Sequence, residues 1–266
     1  MLRQTRADVI ALQEVETLKN EPGLLDYFCR DSDWQHIHGP TLEREDGDYG
    51  NAILTSLPVR SLRRIDISQR RREPRGAFLV TLADGERSLN LLATHLGLRP
   101  WERRAQTRIL LEELRQHAGS MAGNAVTILM GDLNEWFLWG RPIRFLRRYF
   151  GSSPAPATWP ARFPFFALDR VWVEPRQCLL KVGTVDTPLA RIASDHLPLV
   201  AELASGRPEQ APKHEGAGDD HAGDDGQYSE IGGRGIHHHL EQAAGKDGQG
   251  CDSRRQAEQR TEHELA

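Results

Sequence analysis

Cysteine is scarce, with three in 266 residues at Cys29, Cys178 and Cys251. Their spacing fits neither a metal-binding cluster nor a disulfide framework, so a reducing compartment is expected. No apolar run approaches the roughly 20 residues that a membrane-spanning helix needs. The opening MLRQTRADVI lacks the apolar core of a secretory signal. These absences make a cytoplasmic chain the expectation. No internal repeat is visible. Apolar residues are also few, at 38% of the chain, against about 45–50% in a globular domain. That deficit is local. From residue 206 onward Gly, Asp, Glu, Gln and His dominate and large apolar residues stand alone. Such a stretch cannot bury enough surface to offset the entropy of ordering it. Residues 206–266 are therefore expected to form a disordered, low-complexity acidic tail. Residues 1–205 form the folded domain, long enough for a sizeable core.

Charge divides the same way. The last 61 residues hold seven Lys and Arg against thirteen Asp and Glu, whereas the whole chain holds 34 and 38. The first 205 residues thus carry 27 and 25, a balance of +2. Arginines concentrate in RSLRRIDISQRRREPR, RPWERRAQTR and RPIRFLRRYF. This suits an anionic substrate or surface but falls short of the extended basic footprint of a nucleic-acid binder.

The folded part is rich in short apolar runs. ADVIALQEV, YGNAILTSLPV, NAVTILMGDLN, LDRVWVEP and HLPLVAEL read as strands, several of them buried on both faces. RGAFLVTLADGERSLNLLATHL reads as two strands joined by a turn centred on Asp84-Gly85. PWERRAQTRILLEELRQHA, with Pro100 near its start and Ile109, Leu110, Leu111 and Leu114 spaced along one face, predicts an amphipathic helix. A short helix is expected in NEPGLLDYFCRDS. Many strands, hairpin connections and few helices argue for two packed sheets with helices outside.

Polar residues stand at the ends of these runs: Gln13-Glu14, Thr94-His95, Asp132 with Asn134, Asp169, and Ser194-Asp195-His196. Strand ends converging in one place are a rigid way to build a site. Taken singly, each carboxylate reads as a solvated loop group, each histidine as structural, and Asn134 as a turn residue. Taken together, Glu14, Asp132 and Asp195 would repel one another without a cation. Oxygen ligands of this kind select a hard ion, Mg²⁺ or Mn²⁺.

The strings ALQEV, THLGL, MGDLNEW, LDRVWV and SDHLPLVAEL occur in the order found in the endonuclease/exonuclease/phosphatase superfamily, the DNase I-like enzymes. The resemblance runs from about residue 7 to residue 203 and is strongest to an uncharacterised bacterial subgroup. It implies a four-layer α/β sandwich, with two mixed β-sheets back to back and helices outside, and a metal-dependent hydrolase of phosphoester bonds. It also implies roles. Glu14 and Asp195 would serve the metal, with Asp195 supporting the nucleophile. Asp132 and Asn134 would orient the water and contact phosphate. His196 would meet the scissile phosphate or act as base, held in one tautomer by Asp169, and His95 would bind phosphate or aid the leaving group. Two further residues are candidates for substrate binding. Asn51, in YGNAIL, either reaches substrate or shapes a turn. Arg75, in REPRGA, either grips phosphate through its two-pronged guanidinium or lies solvated.

Members of that family begin with an Asn-bearing strand and a helix before the LQE strand. Here Met1 aligns within that helix, so the first strand is expected to be missing, with backbone groups left open beside its neighbours. Two readings follow: a natural start further upstream, or a non-catalytic binding module that keeps the fold. The substrate class stays open among nucleic acid, phospholipid and small phosphoesters, and no obligate protein partner is evident. EWFLWGRPIRFLRRYF sets Trp136, Phe137, Leu138 and Trp139 before Arg141, Arg144, Arg147 and Arg148. Either this segment contacts an anionic membrane surface, or it is a helix with its aromatics packed inward.

Overall fold

The computed structural model describes residues 1–18, 23–43, 47–118, 125–204 and 238–244. Eleven strands among these residues make two sheets. The first contains β1 (Val9–Leu18), β2 (Gln35–Glu43), β3 (Gly47–Thr55), β9 (Leu179–Thr184), β10 (Leu199–Leu203) and β11 (His238–Ala244), in the order β2-β3-β1-β11-β10-β9. The second contains β4 (Val59–Asp66), β5 (Gly76–Asp84), β6 (Arg87–His95), β7 (Ala125–Asp132) and β8 (Asp169–Glu174), in chain order. Each sheet has one parallel pair, β1 with β11 and β6 with β7, among antiparallel neighbours.

The near-continuous apolar runs arise because most strands are buried on both faces. In β1, Val9 and Ala11 face the opposing sheet, while Ile10, Leu12 and Val15 pack with Leu25 of α2 (Leu24–Cys29). In β7, Val126, Ile128 and Met130 join the core between the sheets, and Leu129 joins the outer cluster. That outer cluster takes Leu110, Leu111 and Leu114 from α3 (Pro100–Ala118) and Ile143, Leu146 and Phe150 from α4 (Arg141–Phe150). The alternation of side chains across a strand therefore produces four layers, helix–sheet–sheet–helix, as expected. No helix among the described residues is long and apolar enough to cross a membrane.

Three strands escaped the sequence reading for local reasons. β2 carries Gly39 and Pro40, poor strand formers. β4 is an edge strand that exposes Arg60, Arg63 and Arg64 and buries only Ile65. β9 is only partly buried. The fourth, β11, is a correction. It lies inside the segment expected to be a disordered tail, yet its backbone runs parallel to β1, with Val9 opposite Leu240 and Gln13 opposite Ala244. On its other side it runs antiparallel to β10, with Leu199 opposite Gln242. The open backbone anticipated beside β1 is thus met by a strand from the far end of the chain. Two flanking ladders of backbone hydrogen bonds reward a strand of almost any composition. The remaining residues of the expected tail, including the start of GIHHHLE, lie outside the described residues.

The aromatic segment also resolves. Trp136, Phe137, Leu138 and Trp139 precede α4 and are exposed, so of the two alternatives the helix with these aromatics packed inward does not form. The helix begins at Arg141 and buries Ile143, Leu146 and Phe150 instead.

Candidate active site

Strand register places the central residues in a row. His95, the last residue of β6, is opposite Asp132, the last of β7, and Asp132 is opposite Asp169, the first of β8. Residues opposite each other on adjacent strands have side chains about 5 Å apart. Gly131 allows the close strand approach beside them. Its φ is +151°, and a Cβ there would lie 1.9 Å from the Thr94 carbonyl oxygen.

Two turns then aim side chains into the row. A β-bulge between Leu12 and Val15 interrupts the pairing of β1 with β3, and Glu14 within it has φ +57°. The extra residue redirects the Glu14 side chain. Tyr49 donates its hydroxyl to the Glu14 carboxylate, and burial together with that negative charge pushes the phenol pKa far up. Asn134 also takes the left-handed conformation, with φ +50°. Its backbone N–H donates to Asp132 Oδ1 at 2.7 Å and its Nδ2 to the Leu96 carbonyl at 2.8 Å. The Asp132 carboxylate thereby caps the turn that carries Asn134.

The loop between α5 (Pro188–Ala193) and β10 brings in Asp195 and His196. His196 Nδ1 lies 2.7 Å from Asp169 Oδ2, and its backbone N–H donates to Ser194 Oγ at 3.1 Å. Asp169 is itself anchored through its N–H to Thr158 Oγ1. Oxygen and nitrogen atoms of Asp132, Asp169 and His196 lie within 4.8 Å of one another, and all three residues are buried. Asp195 is exposed and accepts a hydrogen bond from Trp159 Nε1 at 3.3 Å. Glu14 stands on the opposite side, with Oε1 3.9 Å from His95 Nδ1. Asp132, Asp169 and His196 thus form a group whose ligand atoms could hold a metal ion.

Arg75, from the loop between β4 and β5, is buried rather than solvated. One terminal nitrogen donates to His95 Nδ1 at 2.9 Å and the other to Glu73 at 3.0 Å, while its buried Nε has no partner. Asn51, near the middle of β3, donates through Nδ2 to the Gly76 carbonyl at 3.1 Å. Asn51 and Arg75 both line an open cavity of about 480 Å³, along with Arg64, Asp66, Ser68 and Phe78.

Electrostatics separate the two histidines. Burial, then Arg75 and His196, hold the His95 pKa well below its ordinary value. The ring is neutral, and the Arg75 donor at Nδ1 puts its proton on Nε2. That nitrogen lies 3.5 Å from Asp132 Oδ2, the acceptor it faces, while the nearby Asn134 Nδ2 donates to the Leu96 carbonyl instead. Burial also opposes charge on His196, but the hydrogen bond and charge of Asp169, with Asp132 and Asp195 behind them, outweigh it and raise the pKa to about 9. Burial and the neighbouring Asp169 charge raise Asp132 to about 7. A carboxylate so strained by like charge fits a site built around a cation. The donor set gathered here, two carboxylates and an imidazole, could hold a metal ion.

Several supporting residues carried no sequence signal. Tyr49, Thr158 and Trp159 become functional neighbours only through the fold. A second layer beneath the site pairs buried Arg103 with buried Glu135, Nε to Oε2 at 3.2 Å. The adjacency of Glu135 to Asn134 could have hinted at this role.

Residues 1–196 match the model of the Endonuclease/Exonuclease/phosphatase family. The chain is 28% identical over 229 residues to the Escherichia coli K12 protein YbhP, covering 76% of this chain and 85% of that one. Among solved structures, it resembles a functionally unknown conserved protein from Enterococcus faecalis V583 at TM-score 0.60 and 17% identity, over 75% of this chain and 86% of that one. It also resembles the human Nocturnin catalytic domain, solved with bound sulfate, at TM-score 0.52 and 21% identity, over 73% and 79%. At these identities the structural matches establish the fold, and the family match establishes kinship. The chain belongs to the endonuclease/exonuclease/phosphatase family, whose members are phosphoester hydrolases.

Proposed function

We propose that this protein is a Mg²⁺- or Mn²⁺-dependent phosphoester hydrolase acting by in-line attack of an activated water. The observation that carries this reading is the buried Asp169–His196 pair, 2.7 Å apart, with Asp132 beside it. The pairing orients the imidazole and supports its positive charge, the state reached when a base takes a proton from water or a donor meets phosphate. Asp132 and Asn134, linked through one turn, orient the water and the phosphate. His95, neutral and held by Arg75, presents a hydrogen-bond donor on Nε2 for charge building on the phosphoryl oxygens. Arg75 offers its unpartnered Nε–H to the same group, and Asn51 borders the adjoining cavity. Glu14 and Asp195 would hold the divalent ion, which supplies Lewis-acid polarisation of the phosphoryl oxygen and lowers the pKa of bound water.

The reading of a non-catalytic module rested on a gap beside β1. β11 meets the open backbone there, but its sequence HHLEQAA supplies no Asn, so activity itself decides between the two readings. The test is release of p-nitrophenol from bis-p-nitrophenyl phosphate with Mg²⁺ or Mn²⁺, and with EDTA. EDTA-sensitive turnover is expected. Its absence in the folded full chain would refute the hydrolase assignment.

A further inference from the structure

The exposed large apolar side chains gather on the loops that leave the active-site strands. Leu98 and Trp101 follow His95. Trp136, Phe137, Leu138 and Trp139 follow Asn134, and Trp139 is 71% exposed. Phe163 and Phe165, 70% and 64% exposed, precede Asp169. Leu189 and Ile192, the latter 75% exposed, lie on α5 just before Asp195. Among the described residues only Leu24, Tyr27, Leu62 and Leu180 are large, apolar and exposed elsewhere.

These loops are joined. The Trp136 ring sits 4.6 Å from Phe166 and 5.3 Å from Trp159, centroid to centroid, which ties two of the loops into one platform. Trp159 then bonds Asp195, linking that platform to the site. The rim is also cationic. Arg70, Arg71 and Arg72 are exposed on the loop that ends at Arg75, and Arg99 and Arg162 are exposed beside the apolar residues. Arg72 lies 5.6 Å from the Trp101 ring and Arg162 lies 5.7 Å from the Phe163 ring. Of the nearby acids, Glu73 pairs with Arg75, Asp186 with Arg191 and Glu135 with Arg103, while exposed Asp195 accepts from Trp159.

Aromatic rings with arginines suit the headgroup level of a bilayer, and the arginines add attraction to anionic lipid. A single-stranded nucleic acid would use the rings and the arginines too. It would leave Leu98, Leu138, Leu189 and Ile192 in water, because aliphatic groups offer no ring face on which a base can stack. We infer that this rim docks the active site face-down on an anionic phospholipid surface, and that the substrate is a phosphoester carried in that surface. The inference about substrate rests on the hydrolase reading. In the reaction, the water oxygen bonds to phosphorus as the bond from phosphorus to the leaving oxygen breaks. One water proton passes to the base, and a proton returned from the protonated base neutralises the departing alkoxide, which restores the base.

The test is co-sedimentation of the full chain with vesicles of phosphatidylglycerol and phosphatidylcholine, with phosphatidylcholine alone as reference. The companion protein carries Trp139→Ser, Phe163→Ser and Ile192→Ser, none of which touches the catalytic cluster. Wild type is expected to partition onto the anionic vesicles, with binding about tenfold weaker in the variant. Turnover of soluble bis-p-nitrophenyl phosphate should be equal in the two, and circular dichroism should confirm that both are folded. No binding by wild type, or equal binding by both, would overturn the docking surface. Loss in the variant of binding to single-stranded DNA, with none to vesicles, would assign the rim to nucleic acid and overturn it as well. Vesicle binding without any turnover of the soluble ester would leave docking intact and refute the hydrolase reading alone.

Discussion

Asp169 and His196 are 27 positions apart in sequence, yet their side chains meet at 2.7 Å in a buried site. One comes from the first residue of a strand and the other from the loop that enters a different sheet. Removing either partner tests the pair. His196→Ala and Asp169→Asn should each lower turnover of bis-p-nitrophenyl phosphate by about 10²–10⁴-fold. Far-UV circular dichroism should remain that of wild type. Rates near wild type in both variants would exclude the pair from catalysis.

Carboxylate crowding makes a second outcome measurable without turnover. Asp132 is raised by burial and by Asp169, with Glu14 adding to the repulsion. A divalent cation that binds the folded state alone should stabilise it with the logarithm of free cation over Kd, by about 2.7 kcal/mol at a hundredfold excess, and so raise the melting temperature. Mn²⁺ titrated into EDTA-treated protein should show that rise, and Glu14→Ala with Asp195→Ala should abolish it. A rise that persists in the double variant would move the ion to the Asp132, Asp169 and His196 cluster.

Gly131 tests the join between β6 and β7. Any Cβ there meets the Thr94 carbonyl at 1.9 Å, and the backbone conformation disfavours side chains. Gly131→Ala should cost roughly 3–5 kcal/mol, in the range of severe single substitutions. Urea unfolding would report it. A loss below about 1 kcal/mol would mean that the strands can separate at little cost.

β11 lies between β1 and β10 in the first sheet. Gln242 is opposite Ala11 on one side and Leu199 on the other. Gln242→Pro removes a backbone donor from the middle of a central strand, where proline is not tolerated. Hydrogen exchange at the amides of β1 and β10 should accelerate, and stability should fall by about 1–3 kcal/mol. Unchanged exchange would show that residues 238–244 do not complete the sheet in solution.

How far the sequence could be read depended on what each element answers to. β1, β3, β5, β6, β7 and β8 were legible because burial on both faces demands continuous apolar runs. α3 was legible because its apolar residues recur on one face. β4 and β9 were not, since partly exposed strands need few apolar residues. β11 was invisible because its place is set by the backbone groups of Val9–Gln13 and Leu199–Leu203, which any residue but proline can satisfy.

The site divides in the same manner. Glu14, His95, Asp132, Asn134, Asp169, Asp195 and His196 could be named from motif strings, because their chemistry constrains residue type at each position. Arg75 and Asn51 could be nominated but not placed. Only the fold shows Arg75 buried against His95, and Asn51 bonded to the Gly76 carbonyl. The exposure of Trp136–Trp139 likewise depended on where α4 begins.

By itself, then, the sequence determined the layered architecture and the identity of the central polar residues, because burial and chemistry act on residue type one position at a time. Tertiary structure alone decided which of those residues touch, which histidine has its pKa lowered and which has it raised, and which strand lies beside β1. Those outcomes depend on distance, desolvation and backbone pairing between segments far apart in the chain, and no local pattern encodes them.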